Sequence, residues 1–228
     1  MATRHTPVLT AIAVAGAAAL LMLLAGVLIA NLPFAFDRTL IAAMRVPSDP
    51  GVPIGGPRLL AFMRDLTALG AGNVLTMIVV AVLGLLLVQR KRRTAMLVAA
   101  ATLSGSVLVS WAKLYTGRAR PDFVPQLADV SSLSFPSGHA ANSAIIYLTL
   151  AAVASQAVQQ RRVRAYIVGM AILLVAMIGV SRVYLGVHWP SDVLAGWSFG
   201  ALWAWSWWWA GMKVRAQAGA ETSQDPAL

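Results

Sequence analysis

Three short stretches hold most of the residues that could do chemistry. "KLYTGRARPD" (113–122) carries Lys113, Arg118, Arg120 and Asp122; "FPSGHAAN" (135–142) places Ser137, Gly138 and His139 at the mouth of a long apolar run; "SRVYLGVHWPSD" (181–192) supplies Arg182, His188 and Asp192. Fixed cations such as Lys113, Arg120 and Arg182 are costly beside a low-dielectric region unless they meet an anion. Arginine forks match phosphate oxygens two at a time. Ser137 and Gly138 stand where the next apolar run begins, and the free N–H groups and positive dipole end of a helix starting there would bind an anion. Gly138 permits close backbone approach, and the Ser137 hydroxyl can cap or donate. Together these residues describe a phosphate cradle. His188 and Asp192 are four apart, so on a helix they share a face, and the carboxylate can fix the imidazole tautomer. An oriented imidazole beside a phosphate cradle is a candidate nucleophile. His139, at the other end of the cradle, is the candidate general acid.

Each piece also has a plainer reading. A cation at a helix end commonly snorkels, and Arg118 is read that way. Pro-Ser-Gly can be a turn with an N-cap, His188 with Asp192 a cap on the helix that follows, and Asp122, after Pro121, a turn residue. The conjunction favours a site, because three separate loops supply complementary parts. Two histidines and a carboxylate could instead form a metal triad, but three cations in one pocket would repel a divalent ion. No metal and no cofactor are expected.

Positioning these loops falls to a membrane protein. Hydrophobic residues make up 59% of the 228, charged residues only 11%, against about a quarter charged in soluble domains. Six uncharged runs approach the roughly 20 residues needed to cross the hydrocarbon core: Val8–Ala30, Leu66–Val88, Thr94–Ala112, Ala140–Val158, Ala165–Ser181 and Val193–Met212. The expected fold is all-α, one membrane domain with six transmembrane helices, its first run an anchor. With a cytoplasmic N-terminus, inner segments hold ten basic and two acidic residues and outer segments eight and six, accounting for the net charge of +10. That asymmetry is a topology signal, so no nucleic-acid partner is expected. The absence of cysteine excludes disulfides and thiolate metal sites. Membrane parity then places Lys113, Arg120, Ser137, His139, Arg182, His188 and Asp192 on one surface. Residues 31–65 form the longest loop, whose "VPSDPGVPIGGP" centre cannot be regular helix and whose flanks are weakly amphipathic. Trp203, Trp205, Trp207, Trp208 and Trp209 fit an interfacial aromatic belt. The tail from about Gln217 is polar and expected to be disordered.

"KLYTGRARP", "PSGH" and "SRVYLGVHWPSD" agree in order and spacing with Lys, six residues, Arg-Pro; Pro-Ser-Gly-His; and Ser-Arg, five residues, His, three residues, Asp. The chain resembles the type 2 phosphatidic acid phosphatase (PAP2) superfamily, in its bacterial membrane branch, and "RDLTALG" (64–70) looks like an upstream feature of that branch. The resemblance implies a membrane phosphatase without a metal cofactor. Lys113, Arg120, Ser137, Gly138 and Arg182 would bind phosphate, His188 would form a phosphohistidine, His139 would protonate the leaving oxygen, and Asp192 would orient His188. The implied partner is a lipid phosphate or diphosphate in the bilayer, undecaprenyl diphosphate and phosphatidylglycerophosphate leading. The implied location is the bacterial cytoplasmic membrane, with the site facing outward. A non-catalytic lipid-phosphate binder or carrier using the same cations is the alternative, though binding alone has no need of two histidines.

Overall fold

The computed structural model describes residues 34–130 and 132–224, with isolated positions between 14 and 26. The expected first span, Val8–Ala30, otherwise lies outside the described residues. Among the described residues, seven helices and one short ribbon follow one another: α1 (Ala35–Ala43), β1 (Arg45–Val46), β2 (Asp49–Pro53), α2 (Gly56–Ala68), α3 (Gly72–Val88), α4 (Arg92–Thr116), α5 (Gly138–Gln156), α6 (Arg161–Tyr184) and α7 (Pro190–Gln224). The protein is therefore mostly helical, with one departure from all-α. The Pro/Gly-rich centre of the 31–65 loop folds into an antiparallel ribbon pairing Arg45 with Pro53 and Val46 with Asp49. The flanks of that loop are the amphipathic helices α1 and α2. In α1, Asp37 and Ile41 face inward while Phe36 and Leu40 remain exposed.

Among the described residues, α4 (25 residues) and α6 (24 residues) are long and apolar enough to cross a membrane, and α2 with α3 makes a third candidate if the bent pair counts as one span. The run read as a continuous span over Leu66–Val88 is broken at Leu69–Ala71 by a bend of 47°. Packing explains the break. A Cβ on Gly70 would lie 2.6 Å from Ile178 Cγ2, so only glycine fits against α6. The Leu69 carbonyl accepts a hydrogen bond from Tyr147 Oη of α5 (2.8 Å).

Helix α5 is the central element, touching α4, α6 and α7. Its inward positions are small (Ala140, Ala141, Ala144), and α7 answers with glycines: a Cβ on Gly200 would stand 2.5 Å from Ala144 Cβ. Without a hydrophobic drive between helices in lipid, such close approach supplies the van der Waals contact that holds them together. Ile145, Phe199 and Trp203 fill the core beside this seam. Trp203 is accordingly not a belt residue, being buried with its indole N–H on the Ala101 carbonyl (2.8 Å), whereas Trp205 is half exposed. Helix α7 runs on through the polar tail to Gln224, where disorder was expected; "AQAGAETSQ" is rich enough in helix formers to continue a helix already nucleated by the packed residues before it.

At one end of the bundle the loops after α4 and α6 are laced together. Leu127 N–H donates to Leu185 O (2.9 Å) and Ser137 N–H to Asp192 O (3.1 Å), bringing the three motif stretches to one place.

Candidate active site

His188 lies in the loop between α6 and α7 and is 2% exposed. Its Nδ1 is 3.4 Å from Asp192 Oδ2, and its Nε2 is 3.2 Å from an Arg120 guanidinium nitrogen. A guanidinium only donates, so Nε2 carries the lone pair and the ring proton sits on Nδ1, facing the carboxylate. His188 and Asp192 are not on one helical face as the spacing implied: Pro190 opens α7 after His188. Asp192 lies in the first helical turn and reaches back to accept the Trp189 N–H (3.0 Å) while also facing the imidazole. The cap and the dyad, set out above as rival readings, are made by the same carboxylate. Ser134 Oγ donates to the same Oδ2 (2.5 Å). Burial, reinforced by Arg120 and Arg182 and opposed by Asp192, pushes the His188 imidazole down to about 3 from the ordinary 6.5. The ring is therefore neutral at physiological pH, with its lone pair available.

Opposite the ring stand the cations. Ser137 caps α5, its hydroxyl accepting from the Ala140 N–H at 3.5 Å. Lys113 lies over that helix start, 3.3 Å from where a Gly138 Cβ would be, and its Nζ donates to Leu133 O (2.8 Å). Arg120 donates to Ser132 O (2.8 Å) and to Val187 O, and burial lowers the pKa of its guanidinium against the opposing pull of Asp192. Arg182, 3% exposed, donates to Thr67 Oγ1 (2.8 Å) and leaves its Nε without a partner. Among the described residues none of these three cations meets a carboxylate at ion-pair distance. His139, the second residue of α5, is half-buried against Gly70. Burial first, and then the charges of Arg182, Lys113 and Arg120, bear on it. Lys113, Arg120, Ser137, Gly138, His139, Arg182, His188 and Asp192, the candidates for phosphate binding and catalysis, thus lie about this one place.

The sequence reading missed the part played by five residues. Arg118 is not a snorkelling cation: it is 2% exposed and clamped between Asp192 Oδ1 (2.6 Å) and Asp37 Oδ2 (3.1 Å). Ser134 and Ser191 complete that buried network, and Thr67 holds Arg182. "RDLTALG" was the only signal for Thr67, and nothing in the spacing of Asp37 marks it. Asp122 takes no part in these contacts.

A sequence profile described as the PAP2 superfamily matches residues 94–215, more than half of the chain. The chain belongs to the PAP2 superfamily. It is 35% identical over 158 residues to a phosphatidylglycerophosphatase B of Bacillus subtilis, covering 68% of this chain and 76% of that one. It is 30% identical over 148 residues to a decaprenylphosphoryl-5-phosphoribose phosphatase of Mycobacterium tuberculosis, covering 64% and 76%. The fold matches the crystal structure of a transmembrane PAP2-type phosphatidylglycerolphosphate phosphatase from Bacillus subtilis, with TM-score 0.68 and 27% identity over 94% of this chain and 98% of that one. As a PAP2 protein the chain is a phosphoric ester hydrolase. The matched segment contains Lys113, Arg118, Arg120, both site histidines, Arg182 and Asp192. Asp37 and Thr67 lie before it, so two of the residues braced against the PAP2 site come from outside the profile.

Proposed function

We propose that this protein hydrolyses a phosphomonoester or diphosphate of a membrane lipid through a phosphohistidine at His188. The observation that carries the reading is the buried neutral imidazole with Asp192 behind it and uncompensated cations in front. Lys113, Arg120, Arg182 and the Ser137–Gly138 helix start hold the phosphate oxygens. Arg120 exchanges His188 Nε2 for the substrate, freeing the lone pair to attack phosphorus as the P–O bond to the lipid breaks. His139 gives its proton to the leaving oxygen; the negative charge of the bound phosphate favours that proton in the complex. Water, deprotonated by His139, then attacks phosphorus, the P–N bond breaks, and inorganic phosphate leaves. Asp192 keeps the proton on Nδ1 throughout, holding the ring in the attacking tautomer.

The six-span arrangement, with both termini cytoplasmic and the site outward in a bacterial cytoplasmic membrane, is part of the proposal and rests on the charge asymmetry. Reporter fusions at Gln89 and Gln160 should read cytoplasmic and one near Leu127 extracytoplasmic; the opposite at Leu127 sinks this topology. Undecaprenyl diphosphate and phosphatidylglycerophosphate are the leading substrates, the second supported by the name of the Bacillus relative. Phosphate release by purified protein across a panel of lipid phosphates tests the reading. Turnover should survive EDTA and be blocked by vanadate, which mimics five-coordinate phosphorus. Binding of these lipids without phosphate release would leave a carrier in place of an enzyme.

A further inference from the structure

Behind the dyad lies a second set of charges that catalysis as set out above does not use. Arg118 donates to Asp192 Oδ1 at 2.6 Å, to Ser191 Oγ at 2.8 Å and to Asp37 Oδ2 at 3.1 Å. Asp37 in turn accepts the Ser191 N–H on Oδ1 (2.8 Å) and the Ser191 hydroxyl on Oδ2 (2.7 Å). Both carboxylates are fully buried and Arg118 is 2% exposed. The guanidinium also lies over the Trp189 ring, 5.7 Å from its centroid, and the Trp189 indole donates to Ala119 O (2.9 Å). Asp37 belongs to the outer amphipathic helix α1, far from the motifs in sequence, yet it is one residue away from the dyad in the network.

The charges divide unequally. Asp192 gives Oδ1 to Arg118 and Oδ2 to His188, Ser134 and Trp189. Arg118 alone would cancel the charge that the imidazole needs behind it. A second carboxylate on the far side of the guanidinium leaves the Asp192–Arg118–Asp37 set with one net negative charge. That charge matters most when Nε2 bonds to phosphorus with Nδ1–H retained, because the ring then becomes cationic in a pocket where Arg120 and Arg182 already act on it.

We propose that Asp37 and Arg118 are positioning residues for the dyad: Asp37 neutralises Arg118, so that Arg118 fixes the Asp192 carboxylate without stripping its charge from His188. This rests on the phosphatase reading above. Asp37→Asn keeps the shape but removes the charge and one acceptor: its amide oxygen can serve either the Ser191 N–H or the Arg118 guanidinium and Phe34 N–H, not both. It should lower kcat on the order of tenfold, the scale of one charge-assisted hydrogen bond, with KM and vanadate inhibition unchanged, since the cradle is untouched. Arg118→Met leaves two carboxylates buried together and should unfold readily. The double variant Asp37→Asn with Arg118→Met returns the net charge to that of Asp192 alone and should recover both thermal stability and kcat relative to Arg118→Met. Histidine-selective 15N labelling supplies a readout that needs no turnover: the His188 Nδ1–H resonance, downfield in the parent, should move upfield in Asp37→Asn. Loss of stability in Asp37→Asn with kcat per folded molecule and the resonance both unchanged would make Asp37 a fastener for α1 and overturn the proposal. So would a double variant no better than Arg118→Met. A parent that releases no phosphate while its Nδ1–H resonance still responds to Asp37→Asn defeats the phosphatase reading alone.

Discussion

Arg118 and Arg120 sit two residues apart on one loop and have opposite fates. Arg118 is buried between two carboxylates and a serine, its charge answered on both sides. Arg120 is half-buried on backbone carbonyls, a serine hydroxyl and the lone pair of His188, with no carboxylate of its own. Arg182, three per cent exposed with one guanidinium nitrogen unpartnered, belongs with Arg120. A buried charge compensated from within is part of the scaffold. One left uncompensated is held ready for an anion from outside. Arg118 is of the first kind, Arg120 and Arg182, the cations proposed to meet phosphate, of the second, and a single residue, Ala119, separates the two loop arginines.

The largest effect expected is at the ring that both arginines flank. His188→Ala should leave no measurable turnover of lipid or aryl phosphate, because the covalent step has no substitute; residual aryl phosphatase activity would remove His188 as nucleophile. In the parent, the acid limb of kcat/KM reports protonation of the free imidazole. With His188 pushed down to about 3, that limb should lie below the usual histidine range, and a limb near 6.5 would contradict the burial of the ring.

Paired substitutions then break the comparison directly. Arg120→Met should cost on the order of 10²-fold or more in turnover, as for loss of a preorganised oxyanion donor, with little change in thermal stability. Arg118→Met should cost about 3–5 kcal/mol of stability, the usual consequence of removing one partner of a buried pair. Melting curves and phosphate release on the two proteins decide it, and equal stability losses would erase the distinction.

His139→Ala sharpens the site on its acid side. General acid catalysis supplies about 10²–10⁴-fold, so the variant should lose that much on a lipid alkyl phosphate and far less on nitrophenyl phosphate, whose leaving group departs as an anion. Equal losses on the two substrates would assign the acid role elsewhere. The smallest change expected is at Thr67, which only steadies a cradle cation. Thr67→Val should raise KM by about 3–10-fold, the net worth of an ordinary hydrogen bond, about 1 kcal/mol, being the scale of the loss, and Thr67→Ser should restore it.

The sequence by itself singled out which cations, which two histidines and which carboxylate are candidates for one site, since their types, order and spacing are local. It also determined that the 31–65 loop could not be helical at its centre. It told the two arginines of "GRAR" apart but gave Arg118 the wrong place, because what buries Arg118 is Asp37, contributed by a helix 81 positions earlier. It read His188–Asp192 as either a cap or a dyad, and only the chain entering α7 at Pro190 lets one carboxylate serve both. It took Leu66–Val88 as a single span because hydropathy continues through Leu69–Ala71. The bend is imposed from outside, by Ile178 against Gly70 and by Tyr147 on a freed carbonyl. Short-range spacing fixes which groups can react. Which charges are compensated, and where a helix yields, depends on neighbours that only the packed fold supplies.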